Sequence, residues 1–411
     1  MTAMTEAAAP KPLMQNLWVA VLAGCLIAAI GFGPRSAMGF FQLPMLTDTG
    51  WDRTTFALAM AIQNLAWGLG QPVFGAMADR YGSARVLAAG GLVYAAGLYM
   101  MAVADAPVML HVGGGVLVGL GVAACSFTIV MAALARRVPA ERRTLIFGLA
   151  TASGSFGMFA FSPLSQALIS ALGWSDALVW LGAGMLLIPL LAIPLQGRSA
   201  GMGAFSRQLE QSAGQAFNEA VRTRNYLLLI SGFFVCGFQV AFITAHFPAY
   251  IGDIGLDASY AVLALSLIGL FNIVGSLVSG FVGQRYSKPR SLAFIYICRS
   301  IAVTAFLLLP QSGTSVIVFS VVMGLLWLST VPLTNALVAV FFGTRHLGML
   351  GGLVFLSHQI GSFLGVWAGG ALYDIYGSYD AVWWLGVALG LFAAAVHWPI
   401  REQAVPRLQP A

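Results

Sequence analysis

Long apolar runs separated by short polar breaks set the pattern of this chain. Runs long enough to cross a hydrocarbon layer of about 30 Å fall at 16–43, 54–78, 84–104, 107–135, 143–171, 175–197, 225–251, 258–283, 289–310, 313–341, 347–373 and 378–399. That pattern predicts twelve membrane-spanning helices. The longest polar stretch is the middle one, 198–224, which leaves no room for a soluble extramembrane domain. The opening stretch MTAMTEAAAPKPLMQ is polar and small, with no A-x-A site behind a short apolar core. It reads as a tail before a retained first span, not a cleaved signal peptide.

Composition supports the same class. The 411 residues are 59% hydrophobic and 8% charged, too few charges to cover a soluble protein of this size. Lipid is therefore the solvent for most of the chain. Cys25, Cys125, Cys236 and Cys298 all lie inside spans and read as small buried residues, with no disulfide framework and no metal spacing.

A net charge of +6 could suggest nucleic acid, but the positions of the charges argue otherwise. Seventeen of the 20 Lys and Arg occupy the tails and alternate loops: Lys11, Arg80, Arg85, Arg136, Arg137, Arg142, Arg143, Arg198, Arg207, Arg222, Arg224, Arg285, Lys288, Arg290, Arg345, Arg401 and Arg407. The opposite loops carry Asp48, Asp52, Asp105, Asp176, Asp253, Asp257, Asp374 and Asp380, with Arg53 as their lone cation. This is the positive-inside distribution expected of a cytoplasmic (inner) membrane protein with an even number of spans and both termini cytoplasmic.

The two halves repeat at an offset of 204 or 205 residues. GAMADRYGSAR (Gly75 to Arg85) aligns with GFVGQRYSKPR (Gly280 to Arg290), and GWSDALVWLG aligns with SYDAVWWLG, pairing Asp176 with Asp380 and Trp180 with Trp384. Gly148 and Gly157 pair with Gly352 and Gly361. The expectation is two pseudo-symmetric six-helix bundles, 1–197 and 225–411, joined by a cytoplasmic middle loop at 198–224. Parallel repeats of this kind suit alternating access, with a solute site between the halves near the midplane.

GAMADRYGSAR resembles the loop 2–3 signature of the major facilitator superfamily, G-x-x-x-D-R-x-G-x-R, and the resemblance extends over the whole chain. It implies a gating role for Asp79, Arg80 and Arg85, and for Arg285 and Arg290 in the second copy, where Gln284 replaces the aspartate. Drug/proton antiporters of that superfamily carry an arginine early in the fourth span and a G-P-x-x-G-G run ending the fifth. HVGGGVLVGLG and GLATASGSFGMFAFSPLSQ show neither. The first span, NLAWGLGQPVFG and LSHQIGSFLG look more like the monocarboxylate and oxalate/formate branch. That branch's span-8 aspartate and arginine are replaced here by Asn272 and Ser276 in FNIVGSLVSGF.

No Asp or Glu lies in the middle of any span, whereas two cations do. Burying an arginine at mid-membrane costs at least about 2.5–3.5 kcal/mol, so each needs a partner or a watery cavity. Arg35 follows Pro34 and the glycines at 31 and 33 in the first span. It reads either as a bidentate clamp for a carboxylate or as a structural charge, snorkelling outward or pairing with Asp48 or Asp253. Arg299 lies in the ninth span, which the resemblance implies is peripheral, and reads as a structural charge bonded to carbonyls or polar groups of neighbouring spans. His358 with Gln359 is a candidate for binding an anion or a coupling proton, and equally for packing between helices. His246 reads as a gate or packing residue. Further candidates for a solute cavity are Gln63, Asn64 and Gln71, Gln239, Asn272, and Trp327, Thr330, Thr334 and Asn335.

The combined expectation is a monomeric secondary transporter of a small organic anion, with a monocarboxylate favoured and a proton as candidate co-substrate. It needs no cofactor and no metal, binds no nucleic acid, and is not an enzyme. The rival readings are an exporter of drugs or of amphipathic or neutral solutes, and a non-transporting receptor or scaffold on the same fold.

Overall fold

The structure, a computed structural model, describes residues 17–135, 140–196, 211–343 and 347–408. Some side chains within helices, among them those of Asp79 and Arg80, lie outside the described residues. The expected gating roles of those two residues therefore have no structural counterpart here. The fold is all-α and membrane-spanning. Its helical segments fall where the apolar runs fall, and eleven of them among the described residues are long and apolar enough to cross a bilayer. The second span, Arg53–Tyr81, is the twelfth by position. It is as long as the others, but Gln63, Asn64 and Gln71 dilute its apolar character.

Helix boundaries follow from local chemistry. Asp52 caps the second span by accepting the Thr55 amide at 2.7 Å, and Asp257 caps the eighth, Ala258–Arg285, through the Ser259 amide. A single glycine, Gly173 at φ +84°, joins the fifth span (Ala140–Leu172) to the sixth. Only a residue without Cβ turns the chain so sharply at low cost.

Three features depart from the sequence expectation. The first span does not run straight to residue 43. It is helical over Leu17–Ser36, tightens into a 3₁₀ turn at Met38–Phe41, and resumes as Gln42–Thr49. The tenth span is also broken, into Gly313–Leu326 and Thr330–Phe342. Pro332 sits in the first turn of the second piece, where its missing N–H costs nothing. The middle stretch expected as loop contains a helix, Ala213–Arg222, started by a reciprocal Ser212–Gln215 capping box.

The halves meet along the second span and the eleventh (Leu347–Tyr376), and along the fifth and eighth. Gly365 lies against the Phe238 backbone of the seventh span, Arg224–Asp253, and Gly369 against the His246 ring. At the acidic-loop end the bundles are locked by a bidentate ion pair, Arg53 Nη2 to Asp253 Oδ1 at 2.7 Å and Nη1 to Oδ2 at 2.8 Å. The Thr54 amide and hydroxyl both donate to Asp374 across the same seam. At the basic-loop end, a Cβ added at Gly75, Gly154, Gly280 or Gly352 would meet nothing within 4 Å.

Candidate substrate site between the bundles

Arg35 lies in the last turn of the first helix, just before the 3₁₀ turn, and its side chain reaches Asn64 and Trp67 of the second span. It lines a small cavity of about 20 Å³ with Met38, Gly39, Gln63, Asn64, Thr244 and Val366. That volume holds about one water, so a solute of several heavy atoms enters only when the halves part. Asn64 lies eleven residues into the second span, about 16 Å from its acidic end and close to mid-membrane.

The guanidinium is positioned but not saturated. Nη2 donates to Asn64 Oδ1, and Asn64 is itself held by donating to the Met60 carbonyl at 2.8 Å. The cation stands 4.5 Å from the Trp67 ring and 5.7 Å from Phe32, an aromatic wall that stabilises positive charge. Its Nε is buried with no hydrogen-bond partner. Among the described residues no carboxylate pairs with it. The geometry therefore leaves the Nε donor without an acceptor from the described residues.

The other residues singled out from sequence scatter around this point. Gln359 bridges the halves, donating to the Asn64 carbonyl at 3.0 Å. His358 faces into its own bundle: Nδ1 lies 2.9 Å from Gln359 Oε1, and its ring stacks on Phe355 at 5.7 Å. Asn272 also spans the seam, donating to Ser155 Oγ at 3.1 Å, while its Oδ1 accepts the Leu328 amide at 3.0 Å. Gln239 lies away from the cavity, bonded to the Gly386 carbonyl at 2.8 Å and facing Arg299. Trp327 is buried in the break of the tenth span. Asn335 is exposed and Gln71 half-buried. Arg85, Arg285 and Arg290 are exposed at the basic-loop end, Arg285 over the Phe281 ring at 4.4 Å.

Arg299 is fully buried and fully engaged. Nε and Nη2 donate to the Leu326 carbonyl at 3.2 and 2.6 Å, Nη2 also to the Trp327 carbonyl, and Nη1 to Gln239 Oε1 at 3.4 Å. Those carbonyls are the ones freed by the break in the tenth span. Asn272 takes the Leu328 amide and Ser279 donates to the Ser329 carbonyl, so side chains pair the polar groups that a broken helix exposes in lipid.

The sequence reading missed Gln42 and Tyr379, which sit with Arg53 at the acidic-loop seam. The available signal was Arg53 itself, a lone cation in acidic loops. It also missed Tyr94, whose buried hydroxyl lies beside Arg35.

Comparison with known proteins fits this architecture. The family profile described as Major Facilitator Superfamily matches residues 22–366, and the chain belongs to that family, a family of transporters and not of enzymes. It is similar to monocarboxylate transporter 13 of Rattus norvegicus, 25% identical over 374 residues, covering 89% of this chain and 84% of that one. It is also similar to human monocarboxylate transporter 11, 27% identical over 427 residues, covering 96% and 85%. Among solved structures, a D-xylose–proton symporter superposes with a TM-score of 0.74 at 15% identity, covering 96% of this chain and all of that one. At that identity the likeness speaks for the fold alone.

Proposed function

We propose that the chain is a secondary transporter of a small organic anion, with a monocarboxylate as the favoured class, working by alternating access. The observation that carries this reading is the Arg35 guanidinium: it faces an inter-bundle cavity with Nε unpaired and with no acidic partner among the described residues. A charge so placed is expensive unless a ligand completes it, and a planar fork favours carboxylate. Asn64 holds the fork, and Gln63 and Thr244 line the space where the anion's body would lie. Relatives named monocarboxylate transporters support the same substrate class.

In this reading the bundles 1–197 and 225–411 rock about the seam, and 198–224 tethers them. The charge distribution supports basic loops and both termini in the cytoplasm of a cell with an inner membrane. Asp79, Arg80, Arg85, Arg285 and Arg290 form the cytoplasmic gate, and the Arg53–Asp253 pair locks the outer one. The protein acts as a monomer, with a proton as co-substrate.

A thermal-shift screen of the purified protein against short organic acids tests the proposal, repeated with Arg35→Ala. Stabilisation by monocarboxylates that disappears in the variant is the expected result. Stabilisation that survives the substitution removes Arg35 from the site. The aromatic wall of Phe32 and Trp67 favours one alternative, transport of amphipathic solutes, and stabilisation by cationic amphiphiles alone would select it.

A further inference from the structure

A line of polar groups runs from the acidic-loop lock to the edge of the cavity. Arg53 Nη1, besides holding Asp253, donates to the Tyr379 hydroxyl at 2.8 Å. That hydroxyl lies 3.1 Å from His246 Nδ1, and His246 Nε2 lies 2.8 Å from the Val366 carbonyl. Val366 lines the same cavity as Arg35. A carbonyl only accepts, so Nε2 carries the ring hydrogen. Nδ1 faces the Gln42 amide nitrogen, which only donates, so it accepts, as it does from the Tyr379 hydroxyl, and the ring is neutral. His246 is buried, and Gly369 makes the room for it: a Cβ there would run into the ring. Beside Nδ1 lies Gln42, also buried, with Nε2 3.4 Å from the ring and Oε1 without any hydrogen-bond partner.

We propose that His246 is a proton-binding site that releases the outer gate. A proton taken from water onto Nδ1 turns that atom from acceptor into donor. Tyr379 then loses the acceptor for its O–H, and its oxygen faces two cationic donors, the imidazolium and Arg53. The orphaned Gln42 carbonyl, with the amide turned over, is the acceptor that the new N–H requires. The charged groups around the ring are Arg53 from the second span, Asp253 from the seventh, and Asp374 from the end of the eleventh. Tyr379 precedes the twelfth, and Tyr373 stacks on both Arg53 and Tyr379. A second positive charge one hydroxyl away from Arg53 opposes the closed lock, whereas in the parted gate water solvates both cations. Acid at the outer face therefore favours opening. The inference goes beyond the anion reading and does not depend on it, because the lock acts on the halves whatever solute they carry.

The test measures the gate directly, without a substrate. Spin labels at Thr47→Cys and Ala258→Cys, exposed residues on opposite halves of the acidic-loop end, report its opening in the full chain with Cys25 and Cys298 changed to serine. Between about pH 8 and about pH 5, either side of the free imidazole range, the long-distance population is expected to rise several-fold. His246→Gln is expected to hold the closed distribution at both pH values, and Tyr379→Phe, which keeps the ring but cuts its link to Arg53, to flatten the response. Arg53→Ala is expected to stay open throughout. No shift in the parent protein overturns the proposal. So does an undiminished shift in His246→Gln or in Tyr379→Phe, or a closed gate in Arg53→Ala.

Discussion

Among the described residues two guanidiniums sit deep inside the spans, and their surroundings differ in kind. Arg299 donates to two main-chain carbonyls and a glutamine oxygen, all within one bundle. Arg35 has one side-chain partner, an aromatic wall and an unfilled donor, and it faces the seam between bundles. The first arrangement is complete without a ligand. The second is not. Number and identity of partners, not depth in the membrane, therefore separate a structural cation from a binding one.

The sharpest way to break this contrast is to remove each charge in turn. Arg299→Met leaves the Leu326 and Trp327 carbonyls without donors in a lipid-surrounded interior. Hydrogen bonds to charged groups are worth about 1.5–3 kcal/mol each, so a loss of about 3 kcal/mol or more is expected, read by thermal or denaturant unfolding in detergent. A variant that unfolds like the parent would erase the distinction. Arg35→Ala is expected to change stability by less than about 1 kcal/mol, since it deletes a single bond and a costly charge. Its effect appears instead in carboxylate affinity, with a loss of about 2–4 kcal/mol, or 30-fold or more.

Smaller substitutions sharpen the contrast. Arg35→Lys keeps the charge but loses the fork, and titration calorimetry is expected to show weakening of about tenfold, between parent and alanine variant. Asn64→Ala frees the guanidinium from its one holder, and weakening of about fivefold is expected with little change in unfolding, in keeping with the ~1 kcal/mol of a single hydrogen bond. Gln239→Met touches only the structural side. About 1 kcal/mol of stability should go while carboxylate affinity stays put, and a change in affinity would place Gln239 at the site after all.

Much of this is legible in the amino-acid sequence itself. The spans, the repeat from Gly75–Arg85 to Gly280–Arg290 and the isolation of Arg35 and Arg299 all follow from where charges and glycines stand. The direction in which Arg35 points did not follow. Leu17–Ser36 is apolar on every side, so no polar stripe marks which face meets protein and which meets lipid. The break in the tenth span was hidden for a related reason. Pro332 is visible in LWLSTVP, but prolines at 72, 163 and 248 lie inside unbroken helices. What distinguishes 332 is the set of distant groups, Arg299, Asn272 and Ser279, that take up the exposed backbone. His358 and Gln239 looked like cavity residues because residue type and depth carry no azimuth. Both turn toward their own bundle.

Gly39 has a mechanical consequence. Its α-carbon is seated against the Thr244 and Ala245 carbonyls and the Pro248 ring, where a Cβ would come within 3.0 Å of each. Contacts of the C–H···O type are weak, a fraction of an ordinary hydrogen bond. This seam is thus close-fitting yet barely adhesive, like two polished faces held by a clasp at the rim. Parting it exposes little backbone that depended on the contact. Resistance to motion is concentrated in a few polar links, the Arg53–Asp253 clasp at the rim and the Gln359–Asn64 and Asn272–Ser155 bonds further in, where a single proton or a single substitution has the most leverage.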